Sequence, residues 1–126
     1  MSYKYVNPNP EGKRVGDCAI RAIAIAENLT WDEAYDLLTE YGRELKNLPN
    51  ANEVWGAFLR DRGYTRHVLP DTCPDCYTIG DFAEDHPKGL FVVATGSHVV
   101  TIIDGCVMDA WDSRRETVTY FWEARE

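Results

Sequence analysis

Three residues of this chain carry side chains that could do nucleophilic chemistry together: Cys18, His98 and Asp109. Cys18 lies in the stretch V-G-D-C-A-I-R, where a turn gives way to an apolar-periodic run, so it falls in the first turn of a predicted helix. The partial positive charge of a helix N-terminus favours a thiolate over a thiol, and a neighbouring imidazolium favours it further. A thiolate can attack a carbonyl carbon, a histidine can move the proton, and a carboxylate can hold the imidazole ring. Alone, a cysteine at a helix start is most often structural, so the role of Cys18 depends on whether the other two residues reach it.

The pair Asp104-Gly105 predicts a β-hairpin that brings the histidine and the carboxylate together. It lies between two apolar runs, and both central residues of a type I′ turn need the positive φ that Asp-Gly tolerates. A two-residue turn there pairs Val100 with Asp109, and alternation then puts His98 and Asp109 on one face as diagonal neighbours. We therefore expect a hydrogen bond from the imidazole to this carboxylate. The same face is predicted to carry Val100, Ile102, Val107 and Trp111.

Taken together, these motifs resemble the papain-like cysteine peptidase superfamily. The resemblance is carried by the cysteine that opens the first long helix, by G-S-H-V-V on a later strand, and by D-A-W on the next strand. It covers about residues 15–113 and is strongest towards small bacterial and phage members, including the peptidase domains that process double-glycine leaders and a family of phage-associated proteins. It implies a triad of Cys18, His98 and Asp109, with Asp109 in place of the usual Asn, and Trp111 as a shield of the site.

One position departs from the family pattern. Papain-like enzymes usually supply an oxyanion-hole glutamine six residues before the cysteine, and here that position is Gly12. The nearest upstream amides are Asn7 and Asn9. The backbone N–H of Cys18 remains a donor, and the loss of one side-chain donor costs about two to three powers of ten in rate rather than all activity.

Four further residues near the predicted triad are candidate oxyanion or substrate contacts: Asp17, Arg21, Trp111 and Asp112. Asp17 is favoured as the N-cap of the first helix, because Asp is preferred at that position. Arg21 could bind a substrate carboxylate, although pairing with Asp17 or with an acidic residue of the leader is the safer interpretation. Trp111 is predicted to cover the imidazole and keep water away from it.

Asp112 competes with Asp109 for the role of orienting carboxylate, because both belong to the same stretch of chain. The register favours Asp109, since Asp112 would need a β-bulge to reach the face of His98. Asp112 is followed by Ser113 and Arg114 and is more simply a turn residue.

Cys73-P-D-Cys76 is a second cysteine motif, of a kind that can bind zinc, with His67 and His86 as further candidate ligands. The histidine spacings match no common zinc template, so a surface loop with two free thiols is favoured, and we expect no metal and no cofactor. A disulfide is not expected, because four cysteines are few for a secreted scaffold and a reducing compartment keeps thiols free. Cys106 is predicted to be a packing residue.

The order of elements that must position these residues is helices first and strands second. Residues 1–16 contain N-P twice and two glycines, which predicts an irregular leader. Thr30 and Glu33 form a predicted capping box for the second helix. Predicted helices cover about 17–28, 30–42, 50–63 and 78–85, and predicted strands cover about 64–69, 90–94, 98–103, 106–111 and 117–122.

Composition narrows the class of protein. A chain of 126 residues with 44% hydrophobic residues fits one globular domain, 1–126, and no apolar run approaches the length of a membrane span. The net charge of −8 argues against nucleic-acid binding. The N-terminus has no apolar signal region, so we expect a cytoplasmic location.

These observations predict an α+β domain of papain-like fold, with N-terminal helices packed on a C-terminal antiparallel sheet. The expected activity is a thiol-dependent hydrolase, a cysteine peptidase that cleaves an amide bond of a peptide or isopeptide in a peptide or protein substrate. The alternative is a catalytically silent papain-like module that binds a peptide or host protein. A zinc-stabilised interaction domain ranks below both, and we expect a monomer that binds neither nucleic acid nor membrane.

Overall fold

A computed structural model describes residues 2–125 of the chain. Its class is α+β, as predicted from the sequence. The helices are α1 (Cys18–Ala26), α2 (Trp31–Leu45), α3 (Asn52–Asp61) and α4 (Ile79–Asp85). The strands are β1 (Ser2–Tyr5), β2 (Thr65–Val68), β3 (Leu90–Ala94), β4 (Val99–Ile103), β5 (Cys106–Asp109) and β6 (Tyr120–Glu123).

The six strands form one sheet in the order β1-β5-β4-β3-β6-β2, and it is mixed rather than purely antiparallel. β1 runs parallel to β5, with Ser2 opposite Cys106 and Tyr5 opposite Asp109. The prediction of an irregular leader over residues 1–16 is therefore wrong for Ser2–Tyr5. β1 is an edge strand, which needs hydrogen bonds to only one neighbour, and it is mostly exposed. Its sequence therefore lacks the alternation of buried apolar residues that would predict a strand.

Helices cover both faces of the sheet. Along β3, Val92 and Ala94 belong to a core shared with α1, α2 and α3, while Phe91 and Val93 belong to a second core shared with α4. Because side chains alternate along a strand, the two cores lie on opposite faces. The short helix α4 therefore packs on the face opposite to α1–α3.

The second helix shows why a glycine need not mark a helix end. The capping box at Thr30 and Glu33 is present, but α2 continues past the predicted end at Gly42 to Leu45. A Cβ on Gly42 would lie 2.6 Å from the carbonyl oxygen of Asn47, so this glycine permits a close approach inside the helix. The helix ends instead at Lys46, which adopts the left-handed conformation with φ 57°.

The β4–β5 hairpin has the predicted turn and register. Asp104 and Gly105 both have positive φ, 48° and 74°, as a type I′ turn requires. Ile103 lies opposite Cys106, and the ladder continues outwards from that pair. The strands are shorter than predicted, because β4 begins after His98 and β5 ends at Asp109. The histidine and the carboxylate thus lie at the open end of the hairpin, with Val100, Ile102 and Val107 together in the core on the α4 side.

Cys73 and Cys76 form a disulfide, which corrects the expectation of two free thiols. A tight turn, closed by a hydrogen bond from the N–H of Asp75 to the carbonyl of Thr72, brings their Cα atoms to 4.2 Å. The number of cysteines in a chain says nothing about such local geometry. Sulfurs bound to each other are not available as zinc ligands.

The two histidines considered with this motif have other contacts. His67 Nε2 lies 3.1 Å from Glu123 Oε1, and His86 Nδ1 donates to the carbonyl of Phe82 at 2.8 Å. Within residues 2–125, no group of three or more potential metal-ligating side chains comes together. Over the same range, none of the helices combines the length and the apolar character needed to cross a bilayer.

Candidate active site

Cys18 is the first residue of α1, and its half-buried thiol is free. The helix packs along β4, where the hydroxyl of Thr101 donates to the carbonyl oxygen of Ala22 at 2.7 Å. This contact ties α1 to the strand that follows His98 and so places Cys18 beside the histidine. The Cys18 thiol lies close enough to the His98 imidazole for each group to shift the pKa of the other.

His98 and Asp109 form the predicted hydrogen bond. His98 Nε2 donates to Asp109 Oδ2 at 2.6 Å, and the two side chains are only 7% and 3% exposed. The contact is diagonal across the hairpin, as the two-residue turn requires. Because Nε2 is bonded to the carboxylate, Nδ1 is the ring nitrogen left for Cys18. The three predicted residues therefore lie in one connected series: thiol, imidazole, carboxylate.

The surroundings of Cys18 favour its thiolate. Burial raises the pKa of this thiol, but the hydrogen bond and charge of His98, the backbone N–H of Val99 and the guanidinium of Arg21 act in the opposite direction. The opposing effects prevail, and the pKa of Cys18 lies below its ordinary value. A lowered pKa makes the nucleophilic form of the thiol more abundant at neutral pH.

The surroundings of His98 favour its protonated ring. Burial lowers the pKa of the imidazole, whereas hydrogen bonds to Asp109 and Cys18 and the charges of both raise it, giving a pKa of about 9. At neutral pH the ring therefore keeps its second proton. The lowered pKa of Cys18 and the raised pKa of His98 together favour an imidazolium–thiolate pair, in which a nucleophile and a proton donor stand side by side.

Asp109 is fixed by more contacts than the sequence indicated. Its Oδ2 also accepts from Ser113 Oγ at 2.6 Å, and its Oδ1 accepts from the N–H of Ala110 at 2.8 Å. Arg21 Nη2 lies 3.7 Å from the same Oδ1. The backbone carbonyl of Asp109 accepts from the N–H of Val6 at 2.9 Å, so the leader also holds this end of β5. Ser113 is fully buried. From the sequence it belongs only to a predicted turn, where the residue type does not distinguish a buried serine from an exposed one.

Asp17 and Arg21 form a buried ion pair one turn apart on α1, the pairing favoured from the sequence. Asp17 is the N-cap residue of α1, as predicted, but its side chain makes no capping hydrogen bond. Its carboxylate instead pairs with Arg21, accepts from Trp31 Nε1 at 2.9 Å and accepts from Asn9 Nδ2 at 3.4 Å. Asp17 and Arg21 are 3% and 8% exposed, so their charged groups are engaged mainly with each other.

Trp111 lies against the imidazole, with its ring centroid 4.8 Å from that of His98. One face of the indole covers the histidine, while 43% of the residue is exposed to solvent. This placement agrees with the predicted shield over the ring.

Asp112 is not the partner of His98, whose imidazole is bonded to Asp109, and its carboxylate pairs with Arg114 instead. Its two carboxylate oxygens accept from Arg114 Nε at 2.8 Å and Nη2 at 2.7 Å. The residue is a turn residue, as the alternative prediction had it: its Oδ1 also accepts from the backbone N–H of Arg114.

A cavity of about 340 Å³ lies between the leader segment 5–15 and the residues Arg21, Ala110 and Trp111. We call it the leader cavity. Asn7 and Gly12 both line it. Asn9 directs its amide N–H group to Asp17 instead. Of the two upstream amides considered as oxyanion donors, only Asn7 therefore lines the cavity.

Comparisons with protein-family models, with curated proteins and with solved structures found no match for this chain.

Proposed function

We propose that this chain is a thiol-dependent hydrolase of papain-like architecture, a cysteine peptidase that cleaves an amide bond in a peptide or isopeptide. The observation that carries the proposal is the connected series Cys18–His98–Asp109, buried at the open end of a hairpin and placed at the start of a helix. A structural role alone gives no reason for a free thiol to adjoin an imidazole that is itself hydrogen-bonded to a buried carboxylate. A cytoplasmic location remains a prediction from the N-terminal sequence.

In the proposed reaction, the Cys18 thiolate attacks the carbonyl carbon of the scissile amide, and the carbonyl oxygen becomes an oxyanion. The backbone N–H of Cys18 can donate to that oxygen, because first-turn N–H groups have no partner within their helix. His98 Nδ1–H then protonates the leaving nitrogen as the C–N bond breaks, which leaves an acyl-thioester on Cys18. Neutral His98 next removes a proton from water, whose oxygen attacks the thioester and releases the carboxylic acid and the thiolate. Asp109 holds the ring throughout.

The second candidate is a catalytically silent module that binds a peptide in the same cleft. It is favoured by Gly12 at the position where papain-like enzymes carry an oxyanion-hole glutamine, and by the contact of Asn9 with Asp17. Binding alone needs no oxyanion donor, whereas turnover does.

The test combines thiol reactivity with turnover. Iodoacetamide at pH 6.5 should alkylate Cys18 at least tenfold faster than the other free thiol, Cys106, which serves as the internal reference. Hydrolysis of a fluorogenic peptide-amide library should be lost in Cys18→Ala. Equal labelling of the two thiols in the folded protein would refute the nucleophile. Rapid labelling of Cys18 with peptide binding but no hydrolysis of peptide or isopeptide amides would establish the silent module instead.

A further inference from the structure

The leader cavity has a charge opposite to that of the chain. The whole sequence carries 21 acidic and 13 basic residues, yet the residues that line the cavity include Lys13, Arg14 and Arg21 and no acid. Arg21 is neutralised by the buried Asp17. Lys13 and Arg14 are exposed, and among residues 2–125 the acid paired with them is Glu11, which lies 3.3 Å from Lys13 and is itself exposed.

The same cavity gathers exposed apolar side chains. Tyr5, Val15 and Trp111 line it and are 63%, 53% and 43% exposed. They are three of the seven large hydrophobic residues exposed between residues 2 and 125. Exposed apolar side chains grouped in a concave site are typical of a binding surface rather than of random exposure.

The cavity adjoins the reactive groups. Trp111 contacts the His98 ring, Val15 precedes Cys18 by three residues, and Arg21 follows it by one helical turn. A chain segment that occupies the cavity therefore contacts Trp111, which lies against the His98 ring. An acidic segment would meet Lys13 and Arg14 there, although the chain as a whole carries a net charge of −8.

We propose that the leader cavity is a substrate subsite for a peptide carboxylate next to an apolar side chain. The carboxylate lies by Lys13 and Arg14, and the apolar side chain packs on Val15 and Trp111. The carboxylate belongs either to an internal Glu or Asp side chain or to the C-terminus of the peptide. As a subsite, the cavity rests on the proposed function, because it selects what Cys18 would cleave.

Binding of three matched peptides to the Cys18→Ala protein, measured by calorimetry at low and physiological salt, tests the assignment without any hydrolysis. The probes are acetyl-Ala-Leu-Glu-Ala-amide, its Gln counterpart, and the Gln peptide with a free C-terminal carboxylate. An exposed ion pair contributes up to about 1 kcal/mol. The double variant Lys13→Gln/Arg14→Gln should therefore weaken binding of a preferred acidic peptide about three- to tenfold and leave the neutral peptide within twofold.

Arg60→Gln is the matched control, because Arg60 is an exposed cation on α3 that lines a different cavity. It should leave all three affinities within twofold. The peptide that loses affinity in the double variant identifies the source of the carboxylate, the Glu side chain or the C-terminus. Binding of neither acidic peptide in preference to the neutral one, or equal losses in the double variant and the control, would overturn the subsite.

Failure of the subsite and failure of the proposed hydrolase have different signatures. Turnover of the peptide library with no preference for acidic substrates would refute the subsite and leave the hydrolase intact. Binding of acidic peptides that depends on the two cations, together with an unreactive Cys18, would keep the recognition site and refute the hydrolase.

Discussion

Replacing Asp109 with Asn tests the central contact of the site, because it removes the charge that holds the imidazolium and keeps the shape of the side chain. Asp109 Oδ2 accepts from His98 and Ser113, and Oδ1 accepts from the N–H of Ala110. An Asn has one acceptor oxygen, so its NH₂ group must face donors on one side or the other. Asp109→Asn therefore weakens the hold on the ring in either orientation.

The size of the effect follows from the pKa of His98. The rise from 6.5 to about 9 corresponds to about 3 kcal/mol in favour of the imidazolium, at ~1.4 kcal/mol for each tenfold change in the protonation constant. Asp109 and Cys18 are the two groups that raise this pKa. If the carboxylate supplies roughly half, its loss lowers the equilibrium constant between the imidazolium–thiolate pair and the neutral pair about tenfold.

The assay is the rate of iodoacetamide alkylation at pH 6.5, mapped by mass spectrometry to the peptide that contains Cys18. Asp109→Asn should slow the reaction by up to about tenfold, whereas Asp112→Asn should stay within twofold of the wild-type rate, because Asp112 is exposed and bound to Arg114. Near-ultraviolet circular dichroism checks that each variant is folded. Ser113→Ala is a second probe that leaves the carboxylate charge in place, and it should slow alkylation less than threefold.

Two results would refute this reasoning. One is a folded Asp109→Asn protein whose Cys18 reacts at the wild-type rate, which would mean that the carboxylate does not hold the imidazolium. The other is a larger loss in Asp112→Asn than in Asp109→Asn, which would mean that the site uses the other carboxylate.

Three further predictions concern pH, the hairpin turn and the disulfide. The alkylation rate of Cys18 should rise with pH below the ordinary thiol pKa of about 8.5, because the pKa of Cys18 is lowered. It should change again near pH 9, where His98 loses its second proton. A single step near pH 8.5 would contradict both the lowered pKa of Cys18 and the raised pKa of His98. Gly105→Val should destabilise the fold by about 2 kcal/mol in denaturant titration, because φ is +74° and the new Cβ meets backbone atoms at 3.3 and 3.4 Å. The control Gly16→Ala should change stability little, because there is open space around Gly16. Cys73→Ser should lower the free energy of unfolding by about 2 kcal/mol, as expected for a very short disulfide loop. Dithiothreitol should lower the melting temperature of the wild-type protein and leave that of the variant unchanged. A wild-type melting temperature that does not change with the reductant would show that the disulfide is absent in solution.

The geometry of the hairpin could be predicted from the sequence because it follows from local rules. Asp104-Gly105 selects a two-residue turn, and that turn fixes which residues face each other along both strands. The choice of Asp109 over Asp112 as the partner of His98 is a consequence of that register, and the contact is present. Helix starts with strong capping residues, such as Thr30, were equally accessible.

The features that escaped prediction depend on contacts between distant parts of the chain. β1 forms only because β5 offers a parallel partner about a hundred residues later, and four mostly exposed residues give no hydrophobic pattern. Ser113 contacts Asp109 through the path of a turn, which residue types do not specify. The partners of Asp17 escaped prediction for the same reason: it is the predicted N-cap residue, but its carboxylate bonds to Arg21, Trp31 and Asn9 rather than to the N–H groups of the helix.

The buried charges of the site explain why its chemistry requires the whole fold. Asp17 and Asp109 are 3% exposed, and moving a carboxylate from water into such surroundings costs several kcal/mol unless cations and donors surround it. Arg21 lies between them, bonded to Asp17 and 3.7 Å from Asp109, so one guanidinium offsets part of the cost for both. Replacing such a set with apolar side chains often leaves stability unchanged or improves it, so stability alone does not account for the arrangement. A low pKa of the Cys18 thiol does account for this arrangement of charges, because Arg21 lowers that pKa directly and lies beside Asp109, the carboxylate that keeps His98 charged.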